Sequence, residues 1–381
     1  VEDPVTGLKT LKKYEKGAFI YRMAGSAREN SASYYTPEVL TKCLVKEALD
    51  VLVKQQLDEL PDDKARAEKI LTWRICEPAM GSAAFLNEGV NQVAELYMKY
   101  AMKVPGAKLL TQDEYREELQ KVKMFLADRN IFGVDLNPVA VELAEVSLWL
   151  NALSNDHYVP WFGLQLHSGN SLFGARRQCV DSEELLKKKG KGRVAIEEVG
   201  AKPLPAGGIW HFLLPNADMA NYTNKEVAAL EPEKMAALKV WRKEFTKPLQ
   251  EGELSKLVFL SAMVEDGWQR WAAELAKLND QTTDCYDIYG RKDTPKANLT
   301  YEQKMALMDE ARYGDGSASS GYFARLKLVM DYWCALWAWP ITEVYKLPTR
   351  TEYLDQLFAI MAGVDVSAQN VQHTDLFTKV E

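Results

Sequence analysis

Two carboxylates, one glycine turn and one amide stand at spacings that suit a nucleoside-bearing ligand. Residues 75–86 read Ile-Cys-Glu-Pro-Ala-Met-Gly-Ser-Ala-Ala-Phe-Leu, a short strand breaking through small residues into a helix. Gly81 has no Cβ, and Ala79, Ser82, Ala83 and Ala84 carry little more, so a flat polar molecule can approach the backbone closely. Downstream, Ile131-Phe132-Gly133-Val134-Asp135-Leu136-Asn137-Pro138 reads as a strand ending in an acid and followed by a capped helix. An acid at the C-terminal end of the second strand of a doubly wound sheet can accept hydrogen bonds from ribose hydroxyls. A third strand, Leu164–His167, leads into Ser168-Gly169-Asn170-Ser171-Leu172, where Asn170 can read a purine edge and Leu172 can pack on its face.

Upstream, Ser33-Tyr34-Tyr35-Thr36-Pro37-Glu38 precedes an apolar helical pattern at Val39, Leu40, Cys43, Leu44 and Ala48. Thr36 suits an N-cap, Pro37 the first helical position, and Glu38 complements the helix dipole. By itself this segment reads as a well-capped helix start.

Taken in order, SYYTP, CEPAMGSAAFL, FGVDLNP and GNSL resemble the N-terminal catalytic region of N6-adenine DNA methyltransferases. The order is similar to the gamma arrangement of single-chain restriction–methylation enzymes, and closer still to the large methylases of the BREX and DISARM phage-defence systems. The stretches Gly133–Leu153 and His211–Tyr222 carry that closer likeness, which spans roughly residues 28–222 and continues more loosely to about 350. The resemblance implies an α/β fold, a Rossmann-like class I methyltransferase sheet flanked by helices, with a large and mainly helical insertion. It implies S-adenosylmethionine (AdoMet) as cofactor. Tyr35, Thr36 and Pro37 would border its methionine end, and Glu77 would hold the ammonium. Ala79 and Gly81 would form the backbone floor, Asp135 would take the ribose, Leu136 would touch the adenine ring, and Asn170 with Leu172 would meet the purine. The commoner family turn is Pro-Ala-Cys-Gly-Ser-Gly; here Met80 replaces the cysteine and Ala83 the second glycine.

The family also carries Asn-Pro-Pro followed by an aromatic, whose amide and carbonyl receive the amine of a flipped base. No Asn-Pro-Pro occurs among these 381 residues, so no catalytic residue is assigned. Leu214-Pro215-Asn216-Ala217 is a weak degenerate relative. The expected partners are double-stranded DNA with its target base flipped, and a C-terminal catalytic and target-recognition part or subunit. A module that keeps AdoMet only as a ligand, for assembly or DNA surveillance, is the alternative. A dinucleotide enzyme fits poorly because Gly-x-Gly-x-x-Gly is absent. A small-molecule methyltransferase lacks a reason for the SYYTP segment.

The rest of the chain must position these residues. A net charge of −7 argues against a broad phosphate-binding face. The basic cluster Lys187–Arg193, with Arg176 and Arg177 before it, reads mainly as a solvated loop, with DNA-backbone contact as the other option. Five cysteines without a CxxC pair and four histidines indicate neither a zinc site nor a disulfide framework. No apolar run approaches a membrane span and residues 1–10 are not a signal peptide, so a cytoplasmic location is expected. The residue pattern read together with the resemblance implies an N-terminal arm over 1–32, the AdoMet-binding domain over 33–215, a helical insertion over 216–350, and a segment over 351–381 leading toward a catalytic part. Residues 175–208 read as loop, 210–215 as strand, and 224–247 and 250–279 as two long helices. The Trp-rich stretch Tyr332–Pro340 reads as core, with base stacking the rarer alternative.

Overall fold

The computed structural model describes residues 36–153, 160–188, 195–294, 296–314 and 321–364. The arm over 1–32, Tyr35, most of the lysine-rich cluster and the residues after 364 lie outside the described residues.

Helices α1 (Glu38–Gln56) and α2 (Asp63–Ile70) lead into strand β1 (Ile75–Glu77). Then come α3 (Ala84–Ala101), α4 (Gln112–Arg129), β2 (Ile131–Asp135), α5 (Pro138–Ala152) and β3 (Leu166–Ser168). The strands form a parallel sheet in the order β1-β2-β3, with Ile75 beside Ile131 and Gly133 beside Leu166. Parallel neighbours need long crossovers. Helices α3 and α4 make the first and α5 the second. The α/β class is therefore as the sequence reading expects, and this small parallel sheet with its helices is compatible with the fold that the resemblance implies.

Local chemistry sets the helix starts. Asp62 caps α2 by accepting from Ala65 N at 2.7 Å, and Thr111 with Glu114 forms a reciprocal capping box on α4. Thr36 does not cap α1. Pro37 holds the N-cap position with ψ 139°, and its carbonyl accepts from Leu40 at 2.9 Å and Thr41 at 3.2 Å. Thr36 stands one residue too early to reach those amides.

The first core gathers Leu86, Val90, Tyr97, Phe125, Leu126, Ile131 and Leu166. Apolar periodicity overstated burial at its margins. On α5, Val141, Ala144 and Leu148 are buried, whereas Leu143, Val146 and Leu150 are exposed. On α1, Val39, Leu40 and Leu44 are exposed as well. Each helix is apolar over more of its circumference than one neighbouring layer covers.

A second core begins at Cys179. Strands β4 (Gln178–Asp181), β5 (Glu197–Glu198) and β6 (Gly208–Trp210) form an antiparallel sheet in the order β5-β4-β6, with helix α6 (Ser182–Lys188) after β4. The loop reading of 175–208 missed these strands because they are short and β5 is two exposed glutamates. The expected strand over 210–215 stops at Trp210 and turns into a 3₁₀ helix at His211–Leu213. Helices α7 (Lys225–Leu230) and α8 (Pro232–Phe245) replace the single long helix expected there, since Pro232 cannot donate its amide. Helices α9 (Glu251–Thr282), α10 (Tyr301–Tyr313), α11 (Tyr322–Ala335) and α12 (Arg350–Ala362) complete this body. Tyr332, Trp333 and Trp339 are buried in its core.

A strap over residues 283–294 returns from α9 to the first core. Tyr97 donates its hydroxyl to the Tyr289 carbonyl at 2.7 Å, and Tyr289 donates to the Lys108 carbonyl at 2.6 Å. Arg129 pairs with Asp293 and also donates to the Asp284 carbonyl. Lys304 Nζ lies 2.6 Å from Asp284 Oδ2, with both side chains buried. Asp128 is buried beside them, and its Oδ2 has no hydrogen-bond partner among the described residues.

Burial first, and the charge of Asp284 second, push the Asp128 carboxyl up to about 7. A carboxyl raised in the folded state contributes stability that is fully present below its unfolded value, about pH 4, and is lost as pH rises through 7. Thermal melts of Asp128→Asn and the parent should therefore diverge in the variant's favour between pH 5 and pH 8. A melting difference that does not change with pH would refute this account.

Candidate cofactor site

The C-terminal ends of the three parallel strands meet in a hydrogen-bonded corner. Met80 N donates to the Val134 carbonyl at 3.1 Å, tying the turn after β1 to β2. Gly169 N donates to the Asp135 carbonyl at 2.9 Å, tying the exit of β3 to the same strand. Between them, Gly81 N donates to Asp135 Oδ2 at 2.8 Å across 54 residues of chain. The other oxygen, Oδ1, accepts from Asn137 N at 2.9 Å. Asn137 in turn caps α5, its Oδ1 accepting from Val139 N at 3.1 Å.

Backbone conformation explains the residues of the turn. Gly81 has φ +53°, and a Cβ built there meets nothing within 4 Å, so the glycine faces open space. Ala83 has φ +68° and is the N-cap of α3. This left-handed conformation is the physical reason why a second glycine suits that position. The Ala83 methyl does not narrow the open side of the turn, because it is fully buried in the first core. Gly133, opposite on β2, leaves room for Met80: a Cβ there would collide with Met80 Sδ and crowd Leu86 and Leu166.

Glu77 Oε1 accepts from Ala79 N at 3.3 Å, so this acid lies along the backbone of the turn. Leu136 is 64% exposed and Leu172 88%, each beside the corner, and Phe173 is exposed next to Leu172. Asn170 folds its Oδ1 onto the amides of Leu172 at 3.0 Å and Phe173 at 3.2 Å, bonds that do not engage its Nδ2. The corner thus unites Glu77, Ala79, Gly81, Asp135, Leu136, Asn170 and Leu172 through strand ends and the turns that follow them. Thr36 and Pro37 stand at the start of α1, which is tied to α3 by Gln92 Nε2 donating to the Lys42 carbonyl at 3.0 Å. Tyr35 lies outside the described residues. Asn137 and Phe173 belong to the corner but were not singled out from sequence; the run Asp-Leu-Asn-Pro and the aromatic after Leu172 were the available signals.

Asn216 sits elsewhere. It follows the antiparallel sheet, accepts from Asp218 N at 2.9 Å in a local turn, and shares no sheet with β1. Among the described residues, no group of three or more His, Cys, Asp or Glu side chains could hold a metal ion.

Two substitutions separate strain from crowding. Gly81→Ala should cost about 1 kcal/mol by backbone strain alone, because space is open. Gly133→Ala should cost about 1–3 kcal/mol by overpacking, and that cost should shrink in a Met80→Ala background. Urea melts of the four members of the Gly133/Met80 cycle measure the coupling; an additive cycle would exclude it.

No family model and no solved structure matches the chain. The chain is similar to a protein of Methanocaldococcus jannaschii provisionally named a type II restriction enzyme and methyltransferase, with 23% identity over 198 residues. The match covers 42% of this chain and 16% of that protein, so the chain spans a small part of the relative's length.

Proposed function

We propose that the chain is the AdoMet-binding part of a DNA adenine-N6 methyltransferase of gamma type, from a restriction or phage-defence system. The observation that carries the reading is the clasp between Asp135 and Gly81 at the C-terminal edge of a parallel sheet. In open α/β sheets that edge is where nucleoside ligands bind. The similarity to a protein named as a restriction enzyme and methyltransferase supports the same direction.

The residues suit the cofactor. A carboxylate offers about four lone-pair sites, and the two backbone amides engage one on each oxygen of Asp135. The remaining sites can take the two ribose hydroxyls. Glu77 supplies a negative charge for the methionine ammonium, while the backbone of Ala79 and Gly81 admits close approach. Leu136 and Leu172 offer apolar surface to the adenine ring, and the Asn170 amide donates to its edge. Tyr35, Thr36 and Pro37 border the methionine end. When bound, AdoMet supplies an electrophilic methyl group. The protein's share of the work is then to align a base amine with it.

DNA is the proposed partner, its target adenine flipped out of the duplex. The Asn-Pro-Pro-aromatic motif would come from a further segment or subunit, and the setting is cytoplasmic. A second reading, an AdoMet-binding module for assembly or DNA surveillance, draws on the absence of that motif from these 381 residues.

Titration calorimetry tests the cofactor assignment. AdoMet should bind in the micromolar range, NADH should not, and Asp135→Asn should weaken AdoMet at least about tenfold, the loss expected for a charge-assisted hydrogen bond. Folded protein that ignores AdoMet, alone and with a motif-bearing segment added, would sink the proposal. Methyl transfer to adenine in that mixture would separate the enzyme from the non-catalytic module.

A further inference from the structure

Beside the corner, along the outer edge of β3, lies a second cleft that the cofactor reading leaves unused. Its volume is about 620 Å³. Leu166, His167 and Ser168 form one side, Glu145 of α5 another, and α9, α10 and α11 close the third. Trp161 and Met308, which form a small separate core with Leu278, also line the cleft. β3 pairs only with β2, so its other edge faces the cleft without a strand partner among the described residues.

The wall is aromatic and partly uncovered. Trp271 and Phe323 pack with ring centres 5.1 Å apart, and Tyr313 meets Phe323 edge-on at 6.3 Å. Tyr301 is 52% exposed at the rim. Aromatic side chains that only fill a core are covered; these offer ring surface to an incoming planar group. Arg312 lies over Phe323 at 5.4 Å, and among the described residues its side chain makes one hydrogen bond, from Nη2 to the Gly163 carbonyl, long at 3.4 Å. Its Nε is buried with no partner among the described residues. A guanidinium carries five donors, so this one has capacity for an anion. Burial, helped by the Arg312 charge, lowers the pKa of the neighbouring His167, which favours its neutral form at pH 7. Glu145 stands opposite, with its carboxyl raised by burial and by Glu142, and can accept from an exocyclic amine.

We propose that this cleft binds one nucleotide of a DNA strand, with its base against the aromatic wall and its phosphate at Arg312. Stacking surface, one under-used cation and an amine acceptor within one concave site are the three parts of such recognition. The assignment rests on DNA as the partner but not on the AdoMet corner. It places a DNA contact on the β3 side of the sheet, although the chain as a whole is acidic.

The test uses the whole chain and a fluorescein-labelled single strand of about 12 nucleotides. Fluorescence anisotropy should show binding accompanied by quenching of tryptophan emission. Tyr301→Leu and Arg312→Gln should each weaken the strand about tenfold, and Trp271→Leu should remove most of the quenching. Tyr301 is a surface position, so its variant keeps the test valid should Arg312→Gln fold poorly. Strand affinity unchanged by both Tyr301→Leu and Arg312→Gln would overturn the site. Binding of dAMP as tight as that of the strand would overturn the strand as its occupant. AdoMet titrations on the same proteins keep the two readings apart: loss of AdoMet binding with strand binding intact condemns the corner alone, and the reverse pattern condemns the cleft.

Discussion

The hydrogen bond from Gly81 N to Asp135 is the constraint on which the first half of the molecule turns. It fixes the glycine turn against the acid that ends β2, and Asn137 fixes the same acid from the other side. The turn that leads to the helix start at Ala83 is anchored by it, while the exit of β3 is tied to the same residue through the Asp135 carbonyl. The Asp135 carboxylate is thus already oriented by two backbone donors. A group held in this way loses little conformational freedom on engaging a further partner. The arrangement comes at the cost of a left-handed alanine and of a glycine at Gly133 that must stay small for Met80.

A second set of polar contacts joins the two cores. Lys304 and Asp284 form a buried pair, and Arg129 ties Asp293 and the Asp284 carbonyl to the end of α4. Pairs of this sort add little net stability over apolar packing, but losing one partner leaves a buried charge uncompensated. Their contribution here is register: they set where the strap crosses Phe125 and Tyr97, and so where α9 stands relative to the sheet. Arg129 and Arg291 both lie over the Phe125 ring, at 4.2 and 5.1 Å, which adds cation–π attraction to the same junction.

Legibility in the sequence followed the strength of local signals. β1, β2, the start of α3 and α5 were readable because the small-residue turn and Asn-Pro punctuate apolar periods. The corner was readable for the same reason, since its residues are strand ends and turns with fixed offsets from those marks. The antiparallel sheet was not readable. Gln178–Asp181 and Glu197–Glu198 lack apolar alternation, and their pairing, Gln178 with Glu198 and Cys179 with Glu197, is one that no local pattern announces. The break at Pro232 was visible in the sequence yet overridden by the surrounding helical period. The exposed Leu143, Val146 and Leu150 show the other limit: periodicity identifies an apolar surface but not whether anything lies against it. The aromatic cleft was the least legible feature. Trp161, Trp271, Tyr301 and Phe323 come from four separate segments and share no motif.

The strap over residues 283–294 has a mechanical consequence. Two bodies joined by a single connection can rotate about it, and domain motion is then the default. Here the chain passes between the cores near residues 169–178 and is stitched back through Tyr97, Arg129 and Tyr289 at a separate place. That second attachment restricts rotation about the first. The cleft is lined by β3 on one side and by α9, α10 and α11 on the other, so the same stitching limits how far its walls can part.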